Sequence, residues 1–233
     1  MIRNFLFSLF FFTGIIIISL IFLPALILPK EVVLFGGKIM GYWSSFCLQF
    51  FLSTKIIIKG EENIIKNKKF FIAVSHQSMF ETFYLQTIFN SPVFILKKEL
   101  LSIPIFGWYL KKIGSISIKR NKISRENLSF FDDILKQIHS SDRPLIIFPQ
   151  GTRLLPTDRI PFKKGSGSIY EKLKISCQPI AINSGNTWPK YGKKNINSTI
   201  TISILNPIEP GLEKEIFLKK LENSIYSELD ILD

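Results

Sequence analysis

Two regimes of hydrophobic patterning meet near Thr54. From Asn4 to Pro29 no residue is charged, and Phe5–Leu28 reads FLFSLFFFTGIIIISLIFLPALIL. As a helix this run would be about 36 Å long against a hydrocarbon core of about 30 Å, enough to span a bilayer. A cleaved signal sequence would have an apolar region of about 7–15 residues before a small-residue cleavage site, but here Pro24 and Pro29 follow instead. A second apolar stretch, Ile39–Thr54 (IMGYWSSFCLQFFLST), carries Tyr42 and Trp43. It is shorter than the roughly 20 residues of a span, and those two residue types favour the membrane interface. The pair predicts a helical hairpin dipping into one leaflet, with a tilted true span at the first segment as the alternative.

After Thr54 the pattern changes to short β-branched runs separated by amphipathic stretches, the signature of a mostly parallel sheet with crossover helices. Strands are predicted at Lys55–Lys59, Phe70–Ser75, Val93–Lys97, Ser115–Lys119, Pro144–Pro149, Pro179–Asn183 and Thr199–Leu205. Ser124–His139 sets Leu128, Phe131, Leu135 and Ile138 on one helical face behind a Ser124 cap. Phe217, Leu221, Ile225 and Leu229 repeat at every fourth position near the end. The fold class is therefore α/β: a mostly parallel central sheet of about seven strands flanked by helices, preceded by an N-terminal hydrophobic helical membrane segment. Residues 1–54 form the anchoring segment and 55–233 the main domain.

Charge narrows the partners. A net charge of +12 on a chain that is 46% hydrophobic describes a basic folded protein rather than a disordered one. Its partners are anions, and no basic-aromatic recognition module points to nucleic acid. Cys47 and Cys177 provide neither a disulfide framework nor a CxxC pair. With His139 as the only other histidine and no HExxH, a metal site is rejected. No Walker or GxGxxG loop is present, so no nucleotide cofactor is expected.

The chemistry gathers at strand ends. FFIAVS runs into His76-Gln77-Ser78-Met79-Phe80-Glu81, placing a histidine at the carboxyl end of a strand, where open α/β sheets bind ligands. Inside one regular helix the two side chains would stand about 140° apart. With His76 in the turn and the helix starting near Ser78, Glu81 can orient the imidazole and stabilise its charged form. Such a dyad removes a proton from a hydroxyl, and no GxSxG elbow suggests a covalent intermediate. Ser78-x-x-Glu81 also reads as a capping box, which alone would explain Glu81. PLIIFP leads into Gln150-Gly151-Thr152-Arg153, where Gly151 permits a tight turn and Arg153 offers a planar fork for phosphate. Gly114-Ser-Ile-Ser-Ile-Lys119-Arg120 ends another strand in cations, which is also the pattern of an ordinary solvated strand end.

These blocks, over about residues 55–205, resemble the PlsC-type glycerolipid acyltransferases: a His-x4-acid motif, a Gly-to-Arg strand block, an FPEGTR-like block and a Pro-containing strand, in that order. The resemblance implies that His76 is the base, Glu81 its partner, and Arg120 and Arg153 the holders of the acceptor's phosphate. It places Pro149, Gln150, Gly151 and Thr152 at the substrate and Pro179 at the acyl-donor site. The implied reaction takes an acyl group from acyl-CoA or acyl carrier protein, with no cofactor, to the sn-2 hydroxyl of lysophosphatidic acid. The expected location is the inner or plasma membrane, with membrane lipids as partners, and the basic charge of the main domain fits the cytoplasmic side. Glu81 stands where the family commonly has Asp, and Gln150 where it usually has Glu. Other lysolipid acceptors, lyso-ornithine lipid among them, remain open, as do a hydrolase and a non-catalytic membrane-tethered anion binder.

Overall fold

The computed structural model describes residues 1–118 and 130–232. Its helices are α1 (Ile2–Ile21), α2 (Lys30–Leu52), α3 (Phe80–Ile88), α4 (Phe106–Lys112), α5 (Phe130–Ser140), α6 (Lys164–Leu173) and α7 (Lys214–Leu232). The strands are β1 (Lys55–Lys59), β2 (Phe70–Val74), β3 (Val93–Lys97), β4 (Ile116–Ile118), β5 (Leu145–Ile147), β6 (Ser176–Ile182) and β7 (Thr199–Ile204). They form one sheet in the order β1-β7-β6-β2-β5-β3-β4. Every pairing is parallel except β6 with β7, so β1 and β7 run opposite to the other five.

The central strands are apolar on both faces because helices cover both sides. In β2, Phe71 and Ala73 join α5, α6 and α7 in one core, centred on Ile134, Tyr170, Phe217, Leu221 and Ile225. Ile72 and Val74 point the other way, into a core that includes Phe7 and Phe11 of α1, Leu48 and Leu52 of α2, and Phe80 and Leu85 of α3. The hairpin thus shares its hydrophobic core with the sheet.

The apolar run expected as one membrane helix is broken. Helix α1 stops at Ile21, a 3-10 turn follows at Leu23–Leu26 with Pro24 near its start, and Pro29 caps α2. Each proline lacks an N–H for a continuing helix, so the chain folds back. Helix α2 begins at Lys30 rather than Ile39, its first turns carrying Glu31 and Lys38. Among the described residues only α1 has the length and composition to cross a membrane, with mean hydropathy 2.3. Small residues set the spacing. A Cβ on Gly14 would fall 2.1 Å from the Trp43 indole, and one on Gly41 would fall 2.6 Å from the Phe83 carbonyl oxygen of α3.

Other boundaries shift modestly. Strand β6 starts at Ser176 rather than Pro179, and β5 is trimmed to Leu145–Ile147. In α5 the buried face is Phe130, Ile134 and Ile138, one position off the predicted stripe at Phe131 and Leu135. Ser124, Leu128, Lys119 and Arg120 lie outside the described residues.

Candidate active site

Strands β2, β5 and β6 are adjacent and parallel, so the loops after them emerge at one edge of the sheet. His76 leaves β2, Gln150–Arg153 leaves β5, and Ser184–Asn186 leaves β6. Backbone pairing knits the first two, since the Leu154 N–H donates to the His76 carbonyl at 2.9 Å.

Helix α3 begins at Phe80, which keeps His76 outside the helix, in the turn. Its Nδ1 lies 4.0 Å from Glu81 Oε1, with the imidazole largely and the carboxylate wholly buried. Oε1 accepts from the Gln77 N–H (2.8 Å), the Ser78 N–H (2.9 Å) and the Ser184 hydroxyl (2.8 Å), while Oε2 receives a longer bond, 3.2 Å, from the Ser78 N–H. Ser78 Oγ in turn accepts from the Phe80 N–H. The capping arrangement and the dyad therefore coexist: the contacts that start α3 also aim the carboxylate at the imidazole. Burial raises the Glu81 pKa to about 7, against the lowering effect of the backbone N–H groups and the Ser184 hydroxyl. The carboxyl sits in the first turn of α3, where the helix dipole also favours its charge.

The imidazole stacks on Phe148 at a ring separation of 4.0 Å. Gln150, buried, accepts the His76 backbone N–H through Oε1 at 3.0 Å. That bond asks for an acceptor and no charge, which accounts for an amide at this position. Gly151 adopts φ +73 and closes its turn by donating to the Phe148 carbonyl. Its N–H is thus engaged in the turn. Arg153 is half-buried, and its guanidinium makes no hydrogen bond or ion pair with a described residue. Thr152 is exposed, with Lys190 Nζ 3.5 Å from its hydroxyl. Pro149 accepts at its carbonyl from the Lys163 N–H. Pro179 lies within β6, opposite Ala73, rather than in a loop at the edge.

Ser184, Gly185 and Phe148 were not singled out from the sequence. Ser184 reaches Glu81 across 103 residues of chain, and the Gly185 N–H donates to Gln77 Oε1 at 3.0 Å. The only local sign was their position just past a buried strand.

A histidine set against a buried carboxylate thus shares a sheet edge with Arg153, whose guanidinium has no partner among the described residues. The acyltransferase family model matches residues 55–183, and the chain belongs to that family. It is similar to the 1-acyl-sn-glycerol-3-phosphate acyltransferase of Saccharomyces cerevisiae, 31% identical over 69% of this chain and 54% of the relative. The enzyme of the same name from Pseudomonas aeruginosa is 35% identical over 63% of this chain and 56% of the relative. The chain therefore spans little more than half the length of these curated relatives. The crystal structure of the 1-acyl-sn-glycerophosphate (LPA) acyltransferase PlsC from Thermotoga maritima shares the fold, with a TM-score of 0.80 at 21% identity over 100% of this chain and 98% of that one.

Proposed function

We propose that the protein transfers a fatty acyl group from a thioester, acyl-CoA or acyl carrier protein, to the sn-2 hydroxyl of 1-acyl-glycerol-3-phosphate, giving phosphatidic acid. The observation that carries this reading is the His76–Glu81 pair at 4.0 Å, at the same edge as Arg153, which has no partner among the described residues. Nδ1 faces Glu81, and Nε2 is assigned to the acceptor. Nε2 takes the hydroxyl proton as the oxygen attacks the thioester carbon. The C–S bond then breaks, and the departing thiolate takes the proton from the imidazolium. Glu81 stabilises the imidazolium while it exists. Arg153, with Arg120 as its partner by resemblance, holds the phosphate; Gln150 fixes the backbone of His76. Pro179 is assigned to shaping the acyl-donor side.

The α1–α2 hairpin is read as the anchor and residues 55–233 as the catalytic unit, on the cytoplasmic side of the membrane. The mostly outward, apolar surface of α1 supports the anchor. The test is transfer of a labelled acyl group from a thioester to lysophosphatidic acid by the purified chain in detergent. The parent should make phosphatidic acid, His76→Ala should lose turnover by about a thousandfold or more, and Arg153→Ala should mainly raise KM for the acceptor. Full activity in His76→Ala would refute the base assignment. Thioester cleavage that needs no acceptor would favour a hydrolase.

A further inference from the structure

The segment between β3 and β4 is built in a way the chemistry above does not use. Ile105 has φ +63 and ψ −58, a conformation that a β-branched residue rarely adopts and that persists only where its surroundings enforce it. Here the Phe106 N–H donates to the Pro104 carbonyl and the Gly107 N–H to the Ile103 carbonyl, both within the turn. A Cβ on Gly107 would fall 2.2 Å from the Leu101 carbonyl oxygen, so only glycine closes this turn. The Tyr109 hydroxyl fastens α4 to the Ser19 carbonyl of α1 at 2.6 Å. The outcome of this bracing is that Ile103, Phe106 and Trp108 stand 44%, 43% and 51% exposed.

Two features decide what covers them. The first is continuity. Tyr109, Ile105 and Ile113 pack with Phe22, Ala25, Leu26, Val32 and Val33 beneath the hairpin tip, where Leu23, Ile27 and Leu28 are also exposed. The second is charge. Lys97 and Lys98 precede the segment and Lys111 and Lys112 follow it, with Glu99 the only acid between them. An apolar centre with an indole at its rim and flanking lysines matches an anionic bilayer surface.

We propose that Ile103–Trp108 is a second bilayer contact, in which Phe106 and Trp108 enter the headgroup region of an anionic phospholipid membrane beside the hairpin tip. The inference rests on the membrane reading above and adds to it a fixed orientation. The segment follows β3, which is parallel to β2, so it lies toward the edge that carries His76. Two contacts apart in sequence hold that edge facing the lipid, which a single anchor would leave free to turn.

The test labels the chain with an environment-sensitive dye at Ile103→Cys or, as reference, at Phe10→Cys on the outer face of α1; Cys47 and Cys177 are buried and do not compete. With vesicles of phosphatidylcholine and phosphatidylglycerol, both dyes should shift to the blue and be quenched by lipid-borne nitroxides but not by aqueous iodide. Phe106→Ser with Trp108→Ser should lower the vesicle-bound fraction and slow turnover on vesicle-embedded acceptor by about tenfold, leaving turnover in mixed micelles near the parent's. A dye at position 103 that stays open to iodide while the one at position 10 is quenched overturns the proposal and leaves the anchor intact. Lipid quenching at neither position overturns the membrane reading itself. Self-quenching at 103 without vesicles would assign the patch to a second copy instead.

Discussion

Replacing Glu81 with Gln separates the electrostatic cost of the buried carboxylate from its hydrogen bonds. A folded pKa raised from 4.5 to about 7 means that the unfolded chain releases the proton more readily than the folded one. The stability this proton confers is full below about pH 4.5 and is lost as pH rises through about 7, a loss of about 3 kcal/mol. Gln keeps one acceptor where Oε1 receives the Gln77, Ser78 and Ser184 donors, but sets an NH₂ where Oε2 accepts from Ser78 at 3.2 Å. Opposed donors there cost about 1–2 kcal/mol at every pH. The parent should therefore be the more stable protein at pH 5 and should lose that advantage, or reverse it, by pH 8. For a chain of this size the swing in the parent-minus-variant Tm is about 6–12 °C, readable by thermal melts of the detergent-solubilised proteins followed by circular dichroism. A difference in Tm that stays constant between pH 5 and 8 would refute the reasoning, because Glu81 would then hold its charge as easily folded as unfolded.

Ser184→Ala removes one of the three donors to Oε1 and should cost about 1 kcal/mol of stability. It should also displace the acid limb of kcat/KM upward, since a hydroxyl favouring the ionised carboxylate is gone; an unmoved limb would separate Ser184 from the dyad. Gln150→Leu strands the His76 N–H in a buried site and should lower kcat about tenfold, whereas Gln150→Glu keeps an acceptor there and should retain most of the turnover. Gly41→Val drives a side chain into the Phe83 carbonyl region and should uncouple the hairpin from α3, seen as loss of folded protein in detergent or a much lower Tm.

What the sequence disclosed follows from where information is local. The strands around β2 and β5 were legible because burial on both faces demands continuous apolar runs, and the α7 stripe Phe217–Leu221–Ile225–Leu229 because one face alone is buried. The meeting of His76 and Glu81 at the sheet edge that also carries Arg153 was legible because each lies just past the end of a strand. The extent of α2 was hidden by Lys30, Glu31 and Lys38, whose charges interrupt the apolar count without interrupting the helix. The break after Ile21 was signalled by Pro24, but hydrophobicity alone merged the two sides. Ser184 and Phe148 were out of reach, since only the neighbouring of β2 with β5 and β6 in the sheet brings them to the dyad. The partner of Gln150, the His76 backbone N–H, likewise emerges only from the neighbouring of β2 and β5.

The reversal of β1 and β7 has a kinetic consequence. Because β1 runs against β2, its first residue lies at the same edge as His76, and only Ser53 and Thr54 separate it from the end of α2. No tether of adjustable length intervenes, so an enzyme anchored by this hairpin works at a set height above the lipid. On the proposed function, its search for acceptor is then two-dimensional. Turnover should follow the mole fraction of lysolipid in the surface rather than its bulk concentration, and dilution with inert lipid should slow the reaction even when the total amounts of enzyme and substrate are held constant.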